Sequence, residues 1–208
     1  MTRMNKHKAL AFDFDGVIVD SMAYKTDTFR LLFADFSKHI EAIDTYNKRE
    51  GGINRRVKFE YVYKNILHKP YSDKIEEKLT QKYGAMLKQK ILDLQLVPGV
   101  KEFLRTNHLP AFVVSSSEKQ EVELQLKHHD IKQYITGIYA HPNPKAVSLE
   151  KIASELRLNP KQIVFFGDAY ADYVAAQTAG TQFVARSDDT RLFPAGTKRI
   201  SNFNGFSL

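Results

Sequence analysis

The sequence has no cysteine, and none of its apolar runs approaches the roughly 20 residues that a transmembrane helix requires. The lack of cysteine excludes disulfides and thiolate metal sites, and it fits a reducing compartment. The chain opens with basic residues, but the apolar run after them is too short for a signal peptide and is interrupted by acids. These absences predict a cytoplasmic protein that does not enter a membrane.

Internal repeats, low-complexity segments and dense basic tracts are also lacking. The formal net charge is +7, but the positive residues are spread along the whole chain and no nucleic-acid-binding motif accompanies them. The charge therefore predicts a small anionic substrate, attracted by the overall positive field, rather than a nucleic acid.

The chain has 208 residues, of which 43% are hydrophobic, so it suits one domain or a core domain with an insert. Short apolar runs bounded by polar or turn residues are typical of buried parallel strands. They lie at residues 9–12, 111–114, 137–140, 163–166 and 183–185. Helical patterns at 100–107, 118–129 and 146–158 separate the later runs. This alternation predicts an α/β fold with a Rossmann-like parallel sheet.

The segment between the first two strands has a helical pattern throughout. Its apolar residues mark two helix faces, Phe29, Leu32, Phe33 and Phe36 on one and Phe59, Val62, Tyr63 and Ile66 on the other. We therefore expect a helical cap at 21–97, inserted into a core formed by 1–20 and 98–208. The connections near 19–21 and 96–99 are the expected hinges.

Polar clusters follow four of the predicted strands or open the next helix, at the edge of a parallel sheet where ligands bind. Asp13 and Asp15 come directly after the first strand, with Gly16 behind them. Two carboxylates at this spacing suit a hard cation, and an aspartate can attack phosphorus to form an acyl phosphate. A turn or helix-capping pair is the alternative.

The second cluster, Ser115 to Ser117, can hold phosphate oxygens at a helix start, although simple N-capping is the alternative. Lys145 opens a later helix, where its charge opposes the helix dipole and indicates a nearby anion. Asp168 and Asp172 follow the fourth strand. If a helix has begun there, they share one face and repel each other unless a cation lies beside them.

In this order, AFDFDGVIVDS, AFVVSSSEKQ, HPNPKAVSLEKI and IVFFGDAYADY resemble the motifs of the haloacid dehalogenase superfamily. The insert resembles that family's helical cap of the first type. The resemblance implies that Asp13 is the nucleophile of a phosphatase. Asp15 then protonates the leaving oxygen and later activates water, and an aspartate at this position distinguishes phosphatases from dehalogenases.

The resemblance also implies a Mg²⁺ ion bound by Asp13, Asp168 and the backbone carbonyl of Asp15. Asp172 then supports the metal or the lysine of the third motif. The resemblance further implies that Ser115 and Lys145 orient the phosphate, and Ser116 of the same serine cluster is the other predicted phosphate ligand.

The cap stretch EGGINRR resembles the family's specificity loop, so Arg55 is predicted to meet an anionic group of the substrate. Lys25 stands where relatives of β-phosphoglucomutase carry a histidine. The expected function is hydrolysis of a small phosphorylated metabolite, such as a sugar phosphate or a phosphoglycolate-like acid, by a monomer or homodimer. A phosphosugar mutase and a receiver-like phospho-aspartate signalling protein are the alternatives.

Overall fold

The computed structural model describes residues 7–208, so the first six residues of the predicted core segment 1–20 lie outside the described part. The strands are β1 Ala9–Phe12, β2 Ala111–Val114, β3 Gly137–Tyr139, β4 Ile163–Gly167, β5 Gln182–Arg186 and β6 Lys198–Ile200. They form one sheet in the order β3-β2-β1-β4-β5-β6. Every pairing is parallel, and the predicted α/β class is confirmed.

The helices are α1 Met22–Leu32, α2 Ile40–Arg49, α3 Arg55–Tyr61, α4 Asp73–Lys88, α5 Val100–Thr106, α6 Lys119–His128, α7 Lys145–Glu155 and α8 Tyr170–Ala179. Short 3₁₀ or π-helical segments lie at Ala34–His39, Val62–Ile66, Lys132–Tyr134 and Pro160–Gln162. All four residues of strand β1 are buried. Their side chains alternate between the two faces of the sheet, and helices cover both faces. Leu10 and Phe12 pack with α5 and α6, whereas Ala9 and Ala11 pack with α7 and α8.

The sequence pattern located β1 to β5 but missed β6. Strand β6 has the sequence Lys198-Arg199-Ile200 and lies at the sheet edge, partly open to solvent. A basic, half-exposed edge strand lacks the apolar run by which the buried strands were recognised.

Helices α1 to α4 have an apolar core of their own. It contains Phe29, Phe33, Phe59 and Tyr83, whose rings pack at tilted, stacked and edge-on angles. The predicted face is buried at Phe29 and Leu32 of α1 and at Phe33, which directly follows the helix. Phe36 lies instead in a kinked 3₁₀ segment with non-helical backbone angles, so it is only partly buried. The exact cap boundaries at 21–97 stay a prediction.

The two connections between this helical insert and the sheet run side by side. Val19 forms an antiparallel bridge with Leu96, the Asp20 N–H donates to the Gln95 carbonyl at 2.9 Å, and the Val97 N–H donates to the Ile18 carbonyl at 2.9 Å. This pairing places both predicted hinges at one point. No helix among residues 7–208 is both long enough and apolar enough to span a bilayer.

Candidate active site

Asp13 lies at the carboxyl end of β1, between the ends of β2 and β4. Its N–H donates to the Phe166 carbonyl at 2.8 Å, and its Oδ1 accepts the Phe14 N–H at 2.7 Å. Only 3% of the residue is exposed. The backbone therefore continues the strand ladder for one residue and holds this carboxylate in a fixed orientation.

Asp13, Asp168 and Asp172 each place an oxygen within 4.8 Å of the others. Asp168 follows β4 but precedes α8, whereas Asp172 lies within α8. The two residues therefore do not share a helix face, which the sequence would have placed them on only if the helix had begun before Asp168. Asp172 is the third residue of α8 and accepts the Ala169 N–H at 3.1 Å. The acids converge because a tight turn joins β4 to α8.

Lys145, the first residue of α7, lies between two of these acids. Its Nζ is 2.9 Å from Asp13 Oδ2 and 2.5 Å from Asp172 Oδ1. Burial acts to lower the pKa of Lys145, but the charges of Asp13 and Asp172 raise it well above its usual range. The ammonium group is therefore charged at neutral pH, as a phosphate-binding group must be.

One ammonium group does not balance three carboxylates. Burial raises the pKa of Asp13 to about 7 against the attraction of Lys145. Burial and the charge of Asp13 likewise raise the pKa of Asp168. A cluster of hard oxygen ligands that lacks positive charge fits a divalent cation. The carboxylate of Asp15 is outside this cluster, and the family resemblance assigns only its backbone carbonyl to the metal.

Two glycines allow the acids to come so close. Gly16 has φ +75°, and a Cβ there would lie 2.1 Å from Asp168 Oδ2. A Cβ on Gly167 would lie 2.3 Å from the Cβ of Asp172. Both distances are far below van der Waals contact, so any larger residue would displace an acid of the cluster.

The carboxylate of Asp15 points toward the insert and accepts three hydrogen bonds. Its donors are Ser21 Oγ at 2.5 Å, Lys25 Nζ at 2.5 Å and Ser117 Oγ at 2.6 Å. Burial acts to raise the pKa of Asp15, but Lys25 and the three hydrogen bonds lower it below its usual range. This arrangement favours the ionised form, which suits a base. It does not meet the expectation that Asp15 holds a proton for the first step, because an ammonium group contacts it directly.

The three serines have different partners. Ser115 is buried next to Asp13 in the cavity wall, and its Oγ accepts the Ser117 N–H at 3.1 Å. Ser116 Oγ donates to the Gly52 carbonyl of the insert at 2.7 Å, and its own carbonyl accepts Asn54 Nδ2 at 2.7 Å. Ser117 Oγ binds Asp15. The predicted phosphate ligand Ser116 thus joins the insert to the core in this arrangement.

A cavity of about 280 Å³ lies between the acids of the core and the insert. Arg55 lines it, but its guanidinium forms an ion pair with Glu121 of α6 and lies 5.0 Å from the ring centroid of Tyr83. Burial acts to lower the pKa of Arg55, and Glu121 raises it overall. Arg55 therefore connects insert and core across the cavity wall.

Sequence reasoning missed several polar residues of the insert that line this cavity, among them Asn47, Lys58 and, as a partner of Asp15, Lys25. Lys58 lies three residues after Arg55 on α3, so the helical repeat places both on one face. That spacing is a signal from which Lys58 could have been found. Asn47 lies on a different helix, α2, so its proximity to Lys58 depends on the tertiary fold of the insert.

Comparison with known proteins agrees with this geometry. A sequence model of the haloacid dehalogenase-like hydrolases matches residues 10–186. The phosphoglycolate phosphatase of Synechococcus elongatus is 24% identical over 86% of this chain and 82% of its own length. That of Pasteurella multocida is 26% identical over 87% and 86%. The β-phosphoglucomutase structure from Clostridium difficile superposes with a TM-score of 0.75 and 19% identity, over 97% of this chain and 93% of its own.

The chain therefore belongs to the haloacid dehalogenase-like hydrolase family. The predicted family and the predicted enzyme class, a phosphatase-type hydrolase, are confirmed. The likeness to the mutase structure is a likeness of fold.

Proposed function

We propose that the protein is a magnesium-dependent phosphatase that hydrolyses a small phosphomonoester through a phosphorylated Asp13. The observation that carries the proposal is the position of Lys145 Nζ, 2.9 Å from Asp13 Oδ2, beside the acid cluster. A carboxylate so oriented by the backbone, next to a permanent positive charge, can approach an anionic phosphate.

In the proposed first step, an oxygen of Asp13 attacks phosphorus and the bond from phosphorus to the ester oxygen breaks. Lys145 and the Ser115 hydroxyl hold the phosphoryl oxygens and stabilise charge in transfer. The ester oxygen leaves with a proton from Asp15, once that group has separated from Lys25 and become protonated. The alcohol then departs.

In the second step, water attacks phosphorus and the acyl phosphate bond breaks, which frees inorganic phosphate and the Asp13 carboxylate. Asp15 takes the proton of the water, and its ionised, hydrogen-bonded state in this structure is the state this step requires. Asp13 and Asp168, with Asp172 in support, are the residues that would hold Mg²⁺. When bound, the cation supplies positive charge that offsets the repulsion between carboxylate and phosphate.

Two observations bear on the substrate. Two curated relatives are named phosphoglycolate phosphatases, which favours a short phosphorylated acid, whereas a third is named a phosphorylated carbohydrates phosphatase. The cavity of about 280 Å³ suits a small molecule of either kind. A mutase acting on phosphosugars is the second candidate, favoured by the fold of the β-phosphoglucomutase structure. We favour the hydrolase because Lys25, rather than a histidine, contacts Asp15.

Purified protein with Mg²⁺ should release phosphate from para-nitrophenyl phosphate. Brief incubation and acid quenching should leave a phosphoryl group on Asp13 that mass spectrometry locates. In Asp13→Asn, the hydrolysis rate should fall by a factor of about 10⁴ or more and the phosphoryl group should not be detected. The circular dichroism spectrum should match that of the wild type. Full activity of this variant would refute the proposal. Interconversion of glucose phosphate isomers with a bisphosphate primer would favour the mutase.

Arg55 as a substrate contact, a monomeric or homodimeric state and a cytoplasmic location remain predictions. Membership of a hydrolase family argues against the receiver-like signalling alternative.

A further inference from the structure

Lys58 brings a positive charge into the cap wall of the cavity. It lies on α3, and its Nζ donates to Asn47 Oδ1 at 2.9 Å and to the Asn47 carbonyl at 3.3 Å. The ring centroid of Phe29 is 5.9 Å from the same Nζ. These neighbours fix the ammonium group between one amide residue and an aromatic wall.

Within residues 7–208, no carboxylate lies at ion-pair distance from Lys58. Burial lowers the pKa of Lys58 to about 8, with Glu50 opposing that shift and the charge of Lys25 adding to it. Holding a half-buried ammonium group without an acid is unfavourable for folding. Such a cost is expected where a ligand supplies the missing negative charge.

The other cations of the cavity differ from Lys58. Lys25 is paired with Asp15, Arg55 with Glu121, and Lys145 with Asp13 and Asp172. Lys48 also lines the cavity but is exposed, so water solvates its charge.

We propose that Lys58, oriented by Asn47, binds a carboxylate at the end of the substrate remote from the phosphate. The substrate is then a short phosphorylated acid rather than a neutral phosphosugar. The inference rests on the proposed function in one respect, that the core end of the cavity takes the phosphate. Since Asn47 accepts two of the three ammonium hydrogens, one N–H remains. A single charged donor suits a carboxylate better than a second phosphate, which takes several.

The test uses two phosphonates that differ only in the carboxylate, phosphonopropionate and propylphosphonate. Neither has an ester bond, so calorimetric binding in the presence of Mg²⁺ does not depend on turnover. Wild-type protein should bind phosphonopropionate about 10- to 100-fold more tightly. Lys58→Met should remove that preference and leave propylphosphonate affinity unchanged, whereas Lys58→Arg should retain part of it.

Lys64→Met is the matched control, because Lys64 is an exposed lysine of the same insert, paired with Glu60, that does not line the cavity. Its preference should equal that of the wild type. An Arg55→Met variant tests the alternative that Arg55 binds the carboxylate. Preference lost in Arg55→Met but kept in Lys58→Met would overturn the proposal and assign the carboxylate to Arg55.

Equal affinities of wild-type protein for the two phosphonates would also overturn it. If the preference follows Lys58 but para-nitrophenyl phosphate is not hydrolysed, the carboxylate site stands and the phosphatase proposal fails. If phosphate is released but the preference is absent, the phosphatase stands and the carboxylate site fails.

Discussion

The core and cap sides of the cavity differ in the sign of their unbalanced charge. On the core side, three carboxylates cluster around one lysine, which pairs with Asp13 and Asp172. On the cap side, no carboxylate among the described residues lies at ion-pair distance from Lys58. The core side lies on strand ends and helix starts, where the backbone determines position. The cap side lies on helices that touch the core through side chains. Under the proposed function, the core would supply the chemistry and the cap would select the substrate.

Removing the positive charge of the core side should have the largest effect. Lys145→Met leaves Asp13 and Asp172 buried without their partner, and we expect activity toward para-nitrophenyl phosphate to fall by about 10³-fold. The unfolding free energy at neutral pH should fall by about 3 to 5 kcal/mol in urea titrations without metal. Lys151→Met, on the exposed face of the same helix, should match the wild type in both measurements.

The stability deficit of Lys145→Met should also shrink as the pH falls from 7 to 5. Burial already holds the folded-state pKa of Asp13 above its unfolded value in the wild type, and loss of the lysine should raise that pKa further. The folded variant then binds more protons than the folded wild type, so it gains more stability as the pH falls. A deficit that stays constant over this range would contradict the account of buried, unbalanced acids.

A backbone change tests the geometry of the same side without changing charge. Gly16→Ala places a methyl group against Asp168 at a positive φ, and we expect a loss of about 10²-fold in kcat/KM because the acid cluster shifts. Gly84→Ala is the control, since nothing lies within 4 Å of that position in α4. It should leave kcat/KM unchanged and raise thermal stability. Unchanged activity of Gly16→Ala would show that Asp168 tolerates displacement.

Lys25 joins the two sides through Asp15, so its removal should change a pH profile more than a rate. In the wild type, the ionised Asp15 is lost only as pH falls through a pKa below its usual range. In Lys25→Met that pKa should rise, so the acidic limb of kcat, where the second step requires the ionised Asp15, should move to higher pH. The rate at the pH optimum should change by no more than about tenfold. An acidic limb at the wild-type position would mean that Lys25 does not control Asp15.

The smallest effect is expected where the cap is attached. Glu121→Gln removes the partner of Arg55 across the cavity wall, and KM should rise about threefold. The KM of the variant should also depend less on ionic strength than the KM of the wild type. Glu123→Gln, on the same helix but in a long, solvated pair with Lys119, should leave KM unchanged. A larger rise for Glu123→Gln would place the attachment elsewhere.

The sequence located the core side almost completely. Asp13 and Lys145 occupy the strand end and helix start that the pattern predicted, because a buried parallel strand has a recognisable apolar run and its polar successor must lie at the sheet edge. Asp168 and Asp172 were found for the same reason, although the condition for a shared helix face is not met because α8 begins after Asp168.

The cap side required the tertiary structure. Helical periodicity identified the apolar faces, but it does not specify which polar residue of a helix meets a residue of another helix. The contacts of Lys58 with Asn47, of Arg55 with Glu121 and of Lys25 with Asp15 join positions 11, 66 and 10 residues apart. Local residue preferences therefore determined the strands and their catalytic ends. Long-range packing decided which cation remains without an acid, because only the folded chain brings the partners of each charge together.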